Sequence, residues 1–293
     1  MPSSIFRFVP ECAQPKDGDI REFMDVLKAI KYLVVMTGAG MSTESGIPDY
    51  RSPKVGQYTR TDHRPVLHAD FMQSLAVRKR YWARNYVAWP RFAASQPIET
   101  HRTIADWEKS KRFTWLITQN VDGLHTAAGS KMLSELHGCG RRVICMTCSS
   151  IYNRQMIQEW IQKANPNWFI EEIGELAPDG DCDIPDKAVH NFNLSLCPKC
   201  GPKSILKTNV VFFGGFIDPE IHQKCYNMVK SCDGMLILGS SLTVRSSYRY
   251  VEQAYEQSAS ILIVIIGPTD ADHLATLKIS AKCSDIIKHV PNL

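Results

Sequence analysis

At 293 residues the chain has room for one large or two small domains. An apolar share of 44% and a charged share of 22% are enough to bury a sizeable core, which excludes a mainly disordered protein. The longest aliphatic run, Ile261 to Ile266, has six residues, far below the roughly 20 of a membrane-spanning helix, so no membrane insertion is expected. A net charge of +4 from 34 basic and 30 acidic residues, with no basic stripe among aromatics, points away from nucleic acid.

The start, Met1 to Pro10, carries Arg7, two serines, two phenylalanines and no acid. It lacks the apolar stretch of a secretory signal and is compatible with a weak mitochondrial leader. Beyond it, short and nearly continuous apolar runs predict strands at Tyr32–Met36, Thr114–Thr118, Val210–Phe213, Met235–Leu238, Ile261–Ile266 and Ile286–Val290. Helical stretches fall between several of them, at Ile20–Ile30, Pro219–Lys230 and Tyr248–Gln257. The alternation predicts an α/β fold with a Rossmann-like, doubly wound parallel sheet. Residues 55–111 hold no strand pattern but carry helical periodicity, with Phe71, Leu75, Tyr81, Trp82 and Trp107 as inward positions. Residues 141–206 are bracketed by cysteine pairs and rich in Pro, Asp and Gly. The expected division is an N-terminal segment at 1–19, a nucleotide-binding domain from 20–54, 112–140 and 207–293, a helical module at 55–111, and a metal-binding module at 141–206.

The first strand runs into Gly38-Ala39-Gly40-Met41-Ser42. Glycine after a β-run lets the backbone turn tightly and approach a ligand, and Ser42 or Thr43 could cap a following helix whose N-terminus favours phosphate. The spacing is not the GxGxxG of dehydrogenases, and no ribose-binding acid follows about 20 residues later. The second strand ends in Thr118-Gln119-Asn120-Val121-Asp122, a polar group suited to a ligand with hydroxyls and a carboxamide at the carboxyl edge of a sheet. His137 lies between that edge and the cysteine module, and its pKa suits acid–base chemistry near neutrality. Of ten cysteines, four form Cys145-x-x-Cys148 and Cys197-x-x-Cys200. Two such knuckles complete a tetrahedral, closed, structural zinc site and fit a reducing compartment.

Together these motifs resemble the sirtuin family over residues 20–290. Gly38 to Arg51 is similar to its GAGxSxxSGIPDYR signature and Thr118 to His125 to its TQNxDxLH; His137-Gly138, both CxxC pairs, Val210 to Gly214 and Gly239 to Leu242 follow in the family's order. Tyr81-Trp-Ala-Arg84-Asn, Leu176 to Asp181 and Gly267-Pro-Thr269 resemble its mitochondrial class II branch. The resemblance implies NAD-dependent removal of acyl groups from protein lysines, giving nicotinamide and acyl-ADP-ribose. It implies a place in the mitochondrial matrix and acylated mitochondrial proteins, metabolic enzymes among them, as substrates. It further implies that Gly38, Ala39, Gly40, Ser42, Asp49, Tyr50, Arg51, Gln119, Asn120, Asp122, Gly239, Ser240, Ser241 and Cys283 meet NAD. Asp122 would hold the carboxamide, Asn120 would order the ribose and a water, and His137 would be the general base. Val211, Phe213 and Gly214 would line the acyl-lysine channel, and Tyr81 with Arg84 would grip a carboxylate-ended acyl chain such as glutaryl.

Gly215 stands where most relatives carry an acid, and Ile265 where many carry an asparagine for the adenosine ribose. One lost hydrogen bond costs roughly 0.5–1.5 kcal/mol, so weaker NAD binding is expected. The alternatives are mono-ADP-ribosyl transfer to protein, or an NAD-binding regulatory protein with decayed catalysis, which the intact Asn120, Asp122 and His137 disfavour.

Overall fold

Every residue of the first strand is buried, because the sheet built on it is covered on both faces. In the computed structural model, residues 7–62, 64–171 and 173–290 are described. Most of the leader-like stretch read from Met1 to Pro10 lies outside the described residues.

The first half runs through α1 (Asp17–Ala29), β1 (Leu33–Thr37), α2 (Gln57–Arg60), α3 (His68–Gln73), α4 (Leu75–Ala93), α5 (Glu99–Lys109), β2 (Trp115–Thr118), α6 (Leu124–Ala128), β3 (Leu133–Glu135) and β4 (Gly138–Cys145). The second half runs through β5 (Ile151–Asn153), α7 (Arg154–Ala164), α8 (Asp186–Val189), β6 (Leu206–Val210), α9 (Pro219–Lys230), β7 (Gly234–Leu238), α10 (Arg245–Glu256), β8 (Ser260–Val264), β9 (Leu277–Ile279) and α11 (Cys283–Ile287). Six strands form a parallel sheet in the order β3-β2-β1-β7-β8-β9. From β1 the chain builds outward through β2 and β3, then returns to the other side of β1 for β7, β8 and β9. The switch point between β1 and β7 opens a crevice at the strand carboxyl ends.

Side chains alternate along β1 as a pleated strand requires. Val35 joins one core layer with Phe23 and Leu27 of α1, Trp107 of α5 and Ile286 of α11. Val34 and Met36 join the opposite layer with Val229 of α9 and Tyr250, Val251 and Ala254 of α10. A second, antiparallel sheet has the order β5-β4-β6. It shares a third core with α4 and α7, in which Trp82, Trp89, Phe92, Ile157 and Ile161 pack together. The helical stretch 55–111 is therefore split: α4 packs on the small sheet and α5 on the large one.

Two expected strands differ in the structure. The run Val210–Phe213 is not a parallel strand. Its first residue closes β6, which pairs antiparallel with β4, and Phe212 packs edge-on against Phe71 and tilted against Tyr81. Ile286–Val290 is not a strand either. Ile286, Ile287 and Val290 are buried while Lys288 and His289 are exposed, a helical spacing, and α11 ends at Ile287 inside this stretch. Among the described residues, no helix is long and apolar enough to cross a membrane.

Two histidines are sealed between α5 and α6, with ring centroids 4.8 Å apart. His125 Nε2 lies 3.0 Å from Thr37 Oγ1, and the His101 Nδ1 accepts from the Ile98 N–H. Burial holds His101 well below its usual pKa and pushes His125 down to about 3. The unfolded chain protonates both rings below about pH 6.5, whereas the folded chain keeps them neutral. The stability that neutral rings contribute is complete above that pH and falls as the solution is acidified, by about 1.4 kcal/mol per pH unit for each ring. Urea unfolding at about pH 7.5 and about pH 5.5 should show a steeper acid loss in wild type than in His101→Gln/His125→Gln. Equal losses would contradict this.

Candidate active site

The crevice is shaped by an approach of two backbone turns that only glycine permits. The turn after β1 lies on the turn after β7, with Gly38 N–H donating to Leu238 O and Gly40 N–H to Gly239 O, both at 2.9 Å. A Cβ on Gly38 would sit 2.7 Å from Ser240 Cβ, and one on Gly239, whose φ is +64°, would sit 2.2 Å from Met41 N. Residues 39–45 form a 3₁₀ helix with no side-chain cap, so the expected Ser42 or Thr43 cap of an α-helix is not present. Ser42 turns inward and donates to Asp122 Oδ2 at 2.8 Å, and Thr43 bonds Gly40 O.

That inward turn ties the glycine segment to the polar end of β2. Asn120 Nδ2 donates to Gly38 O at 3.0 Å and to Ser42 Oγ at 3.1 Å. Asp122 Oδ1 accepts from Leu124 N–H, and burial raises its pKa against the pull of those bonds. Gln119 Nε2 donates to Ser240 Oγ at 2.8 Å, bridging the ends of β2 and β7. His137, half-buried just before β4, faces Gln119 O through Nδ1 at 3.1 Å and Ser246 Oγ through Nε2 at 2.9 Å. Burial lowers its pKa, the Gln119 carbonyl opposing, so the ring is neutral and able to accept a proton. Asp49 folds back on its own loop, accepting from the Arg51 and Ser52 N–H groups, and Arg51 stays exposed over Tyr58.

Most of these groups border one cavity of about 580 Å³. Ala39, Gly40, Ser42, Asp49, Tyr50, Arg51, Gln119, Asn120, Asp122, Gly239, Ser240, Ser241 and Cys283 line it, as do His137, Tyr81, Val211, Phe213 and Gly214. Gly38 lies behind the wall as packing. The structure also places Val9, Glu44, Asp179, Asp181 and Ser246 on the cavity. Glu44, held by Ser284 at 2.8 Å, and Ser246 carried no local pattern that could single them out.

Arg84 is not where the expected grip on a substrate carboxylate would need it. It does not border the cavity; it is 5% exposed and pairs through Nε with Asp181, 2% exposed, and with Cys182 O, and through Nη2 with Asp183. The guanidinium that the Tyr-x-x-Arg spacing offered to a substrate carboxylate is held by carboxylates of the chain itself. Burial, with Asp179 beside it, pushes Asp181 up to about 7 despite Arg84. Tyr81 does reach the cavity, its hydroxyl bonded to Thr208.

The four paired cysteines come together at the far end of the small sheet, all with free thiols and with sulfur atoms within 4.8 Å of one another. Cys145 Sγ to Cys200 Sγ and Cys148 Sγ to Cys197 Sγ are each 3.8 Å. A tetrahedron with zinc–sulfur bonds of about 2.3 Å has edges of about 3.8 Å, so the cluster fits a zinc ion with no open position.

The family model described as "Sir2 family" matches residues 38–246. The chain is 46% identical over 286 residues to "NAD-dependent protein deacylase sir-2.2" of Caenorhabditis elegans, covering 97% of this chain and 99% of that one. It is 46% identical to "NAD-dependent protein lipoamidase sirtuin-4, mitochondrial" of Homo sapiens, covering 97% and 90%. Among solved structures it resembles "Sir2-p53 peptide-NAD+", with a TM-score of 0.69 at 25% identity, covering 92% and 95%. It also resembles "Structure of Sir2Tm bound to a propionylated peptide", with a TM-score of 0.70 at 26% identity, covering 92% and 96%.

Two variants test the site's supports. Arg84→Met should lower stability by about 3 kcal/mol in urea unfolding by stranding Asp181, and Arg84→Met/Asp181→Asn should recover part of it. A fully stable Arg84→Met that lost activity only on carboxylate-ended acyl groups would return Arg84 to substrate recognition. Cys145→Ser/Cys200→Ser should abolish zinc content in metal analysis and lower the unfolding temperature, because structural zinc contributes folding free energy. Full zinc at normal stability would refute the cluster.

Proposed function

Because the chain belongs to the Sir2 family and is an NAD-dependent enzyme that deacylates protein lysines, we propose that His137 is its general base and that the polar ring around it receives NAD. The observation that carries this reading is the convergence of Asn120, Asp122 and His137 on the same cavity as Val211, Phe213 and Gly214. A carboxamide N–H can donate to Asp122, while Gln119, Ser240 and Ser241 offer amide and hydroxyl groups to a ribose and phosphate. The acyl oxygen displaces nicotinamide at the ribose C1′, and His137 Nε2 takes a ribose hydroxyl proton as the sugar oxygen attacks the acyl carbon. The C–N bond to lysine then breaks, the amine leaving with a proton, and a water adds to the acyl carbon as its bond to the C1′ oxygen opens, so the products are the free lysine, nicotinamide and acyl-ADP-ribose. Zinc, when bound by the four cysteines, supplies rigidity and no chemistry at the cavity.

The acyl group we assign is neutral and extended, of the lipoyl kind named for the human relative. Tyr81, Val211 and Phe213 give the channel apolar walls, and with the Arg84 guanidinium held by Asp181 and Asp183 a terminal carboxylate would lose its water there without that partner. The named human relative is mitochondrial, which supports a mitochondrial place for this chain. Within it we assign the matrix, with acylated metabolic enzymes as substrates. A fluorescent tag at the C-terminus should mark mitochondria, and a diffuse cytosolic signal would overturn that assignment.

With NAD and a panel of acyl-lysine peptides, mass spectrometry should find acyl-ADP-ribose, with lipoyl favoured over glutaryl by about tenfold or more in kcat/KM. A preference for glutaryl would refute the acyl assignment. His137→Ala should still bind NAD but lose roughly 10²–10⁴-fold in turnover. A variant that kept more than about a tenth of the wild-type rate would remove His137 as the base.

A further inference from the structure

The hydrogen bond between His137 and Ser246 joins the ring to an element that shares no sequence neighbourhood with it. Gln119 O can only accept, so His137 Nδ1, 3.1 Å away, carries the proton of the neutral ring. Nε2 then holds the lone pair, and Ser246 Oγ, 2.9 Å away, donates to it. Ser246 is the second residue of α10, a helix of 12 residues, and it borders the cavity. The first-turn N–H groups of α10 lack helical partners, so this end of the helix favours a neutral ring over a charged one.

We propose that Ser246 is a positioning residue: it holds the lone pair of His137 in the direction of the cavity until a ribose hydroxyl takes its place. This rests on His137 as the general base. In the step it prepares, the ribose O–H bond breaks and an Nε2–H bond forms, while Nδ1–H stays on the Gln119 carbonyl. The electron pair left on the ribose oxygen forms its bond to the acyl carbon as the π pair of that carbon's bond to the lysine nitrogen moves onto the nitrogen. With both nitrogens tethered, the ring is fixed about both of its side-chain torsions. With Gln119 alone it can swing, and a small misplacement of a base is costly in rate.

The charged groups of the elements around the ring are Asp122 after β2, Glu135 on β3, which pairs with Arg142 on β4, Arg141 on β4, which donates to Asp122 O, Lys207 on β6, and Arg245, Arg249, Glu252 and Glu256 on α10, where Arg245 pairs with Glu252. Burial and the Gln119 carbonyl are what act on the ring.

The test follows the His137 ring resonances against pH in the full chain without NAD, assigned by their disappearance in His137→Gln. Ser246→Ala should raise the His137 pKa by about 0.4–1 unit, the loss of one hydrogen bond to the neutral form. It should lower kcat about tenfold while KM for NAD changes less than about twofold, and Ser246→Thr should restore both pKa and kcat. An unmoved pKa in Ser246→Ala would overturn the proposal, and so would a moved pKa with unchanged kcat. The resonance titration reads the contact itself, so it separates this proposal from the base assignment, which falls if His137→Ala keeps its turnover.

Discussion

The site depends on two turns packed more closely than any side chain would allow. Gly38, Gly40 and Gly239 bring the end of β1 onto the end of β7 at backbone hydrogen-bond distance. Because β1 is flanked by β2 and β7 in parallel register, that contact also draws in the end of β2. Asn120 then reaches Gly38 O, and Gln119 reaches Ser240 Oγ. In the free chain the glycines serve the protein's own packing first, and the phosphate-facing role expected of them follows from the crevice this packing leaves.

The second support is mechanical and runs through the small sheet. β4 begins one residue after His137 and ends at Cys145, a member of the four-sulfur cluster. β6, paired with it, ends at Val210 and leads into Val211 and Phe213 on the cavity wall. The Val211 N–H donates to His137 O at 2.8 Å, joining the proposed base and the proposed acyl channel at the near end of both strands. A closed metal site at one end of a two-strand lever thus fixes His137 and the cavity-lining Val211 and Phe213 at the other. This explains why a metal with no free coordination position belongs in this enzyme.

What could be read from the sequence was what periodicity and local spacing encode. β1, β2, β7 and β8 announce themselves as continuous apolar runs, and the paired CxxC spacing defines its own chemistry. What could not be read depends on contacts distant along the chain. Arg84 meets Asp181 across 97 positions, and His137 meets Ser246 across 109. The Tyr-x-x-Arg spacing is real, yet a helix face alone does not say whether a substrate or the chain's own carboxylate will occupy the arginine. β3, β5 and β9 have three residues each, too few for an alternation to show. A short apolar run such as Ile286–Val290 suits a buried strand and a buried helix equally, and packing against distant residues decides between them.

The claim on which all of this rests is that the nested glycine turns create the NAD site. Gly239→Ala tests it directly, since a methyl group there collides with Met41 N at a backbone angle that disfavours a side chain. Calorimetric titration should show the variant with its zinc content intact but its NAD affinity lowered by about a hundredfold or more, the cost of roughly 3 kcal/mol of misplacement and strain. A Gly239→Ala enzyme that binds NAD as tightly as wild type would contradict the account.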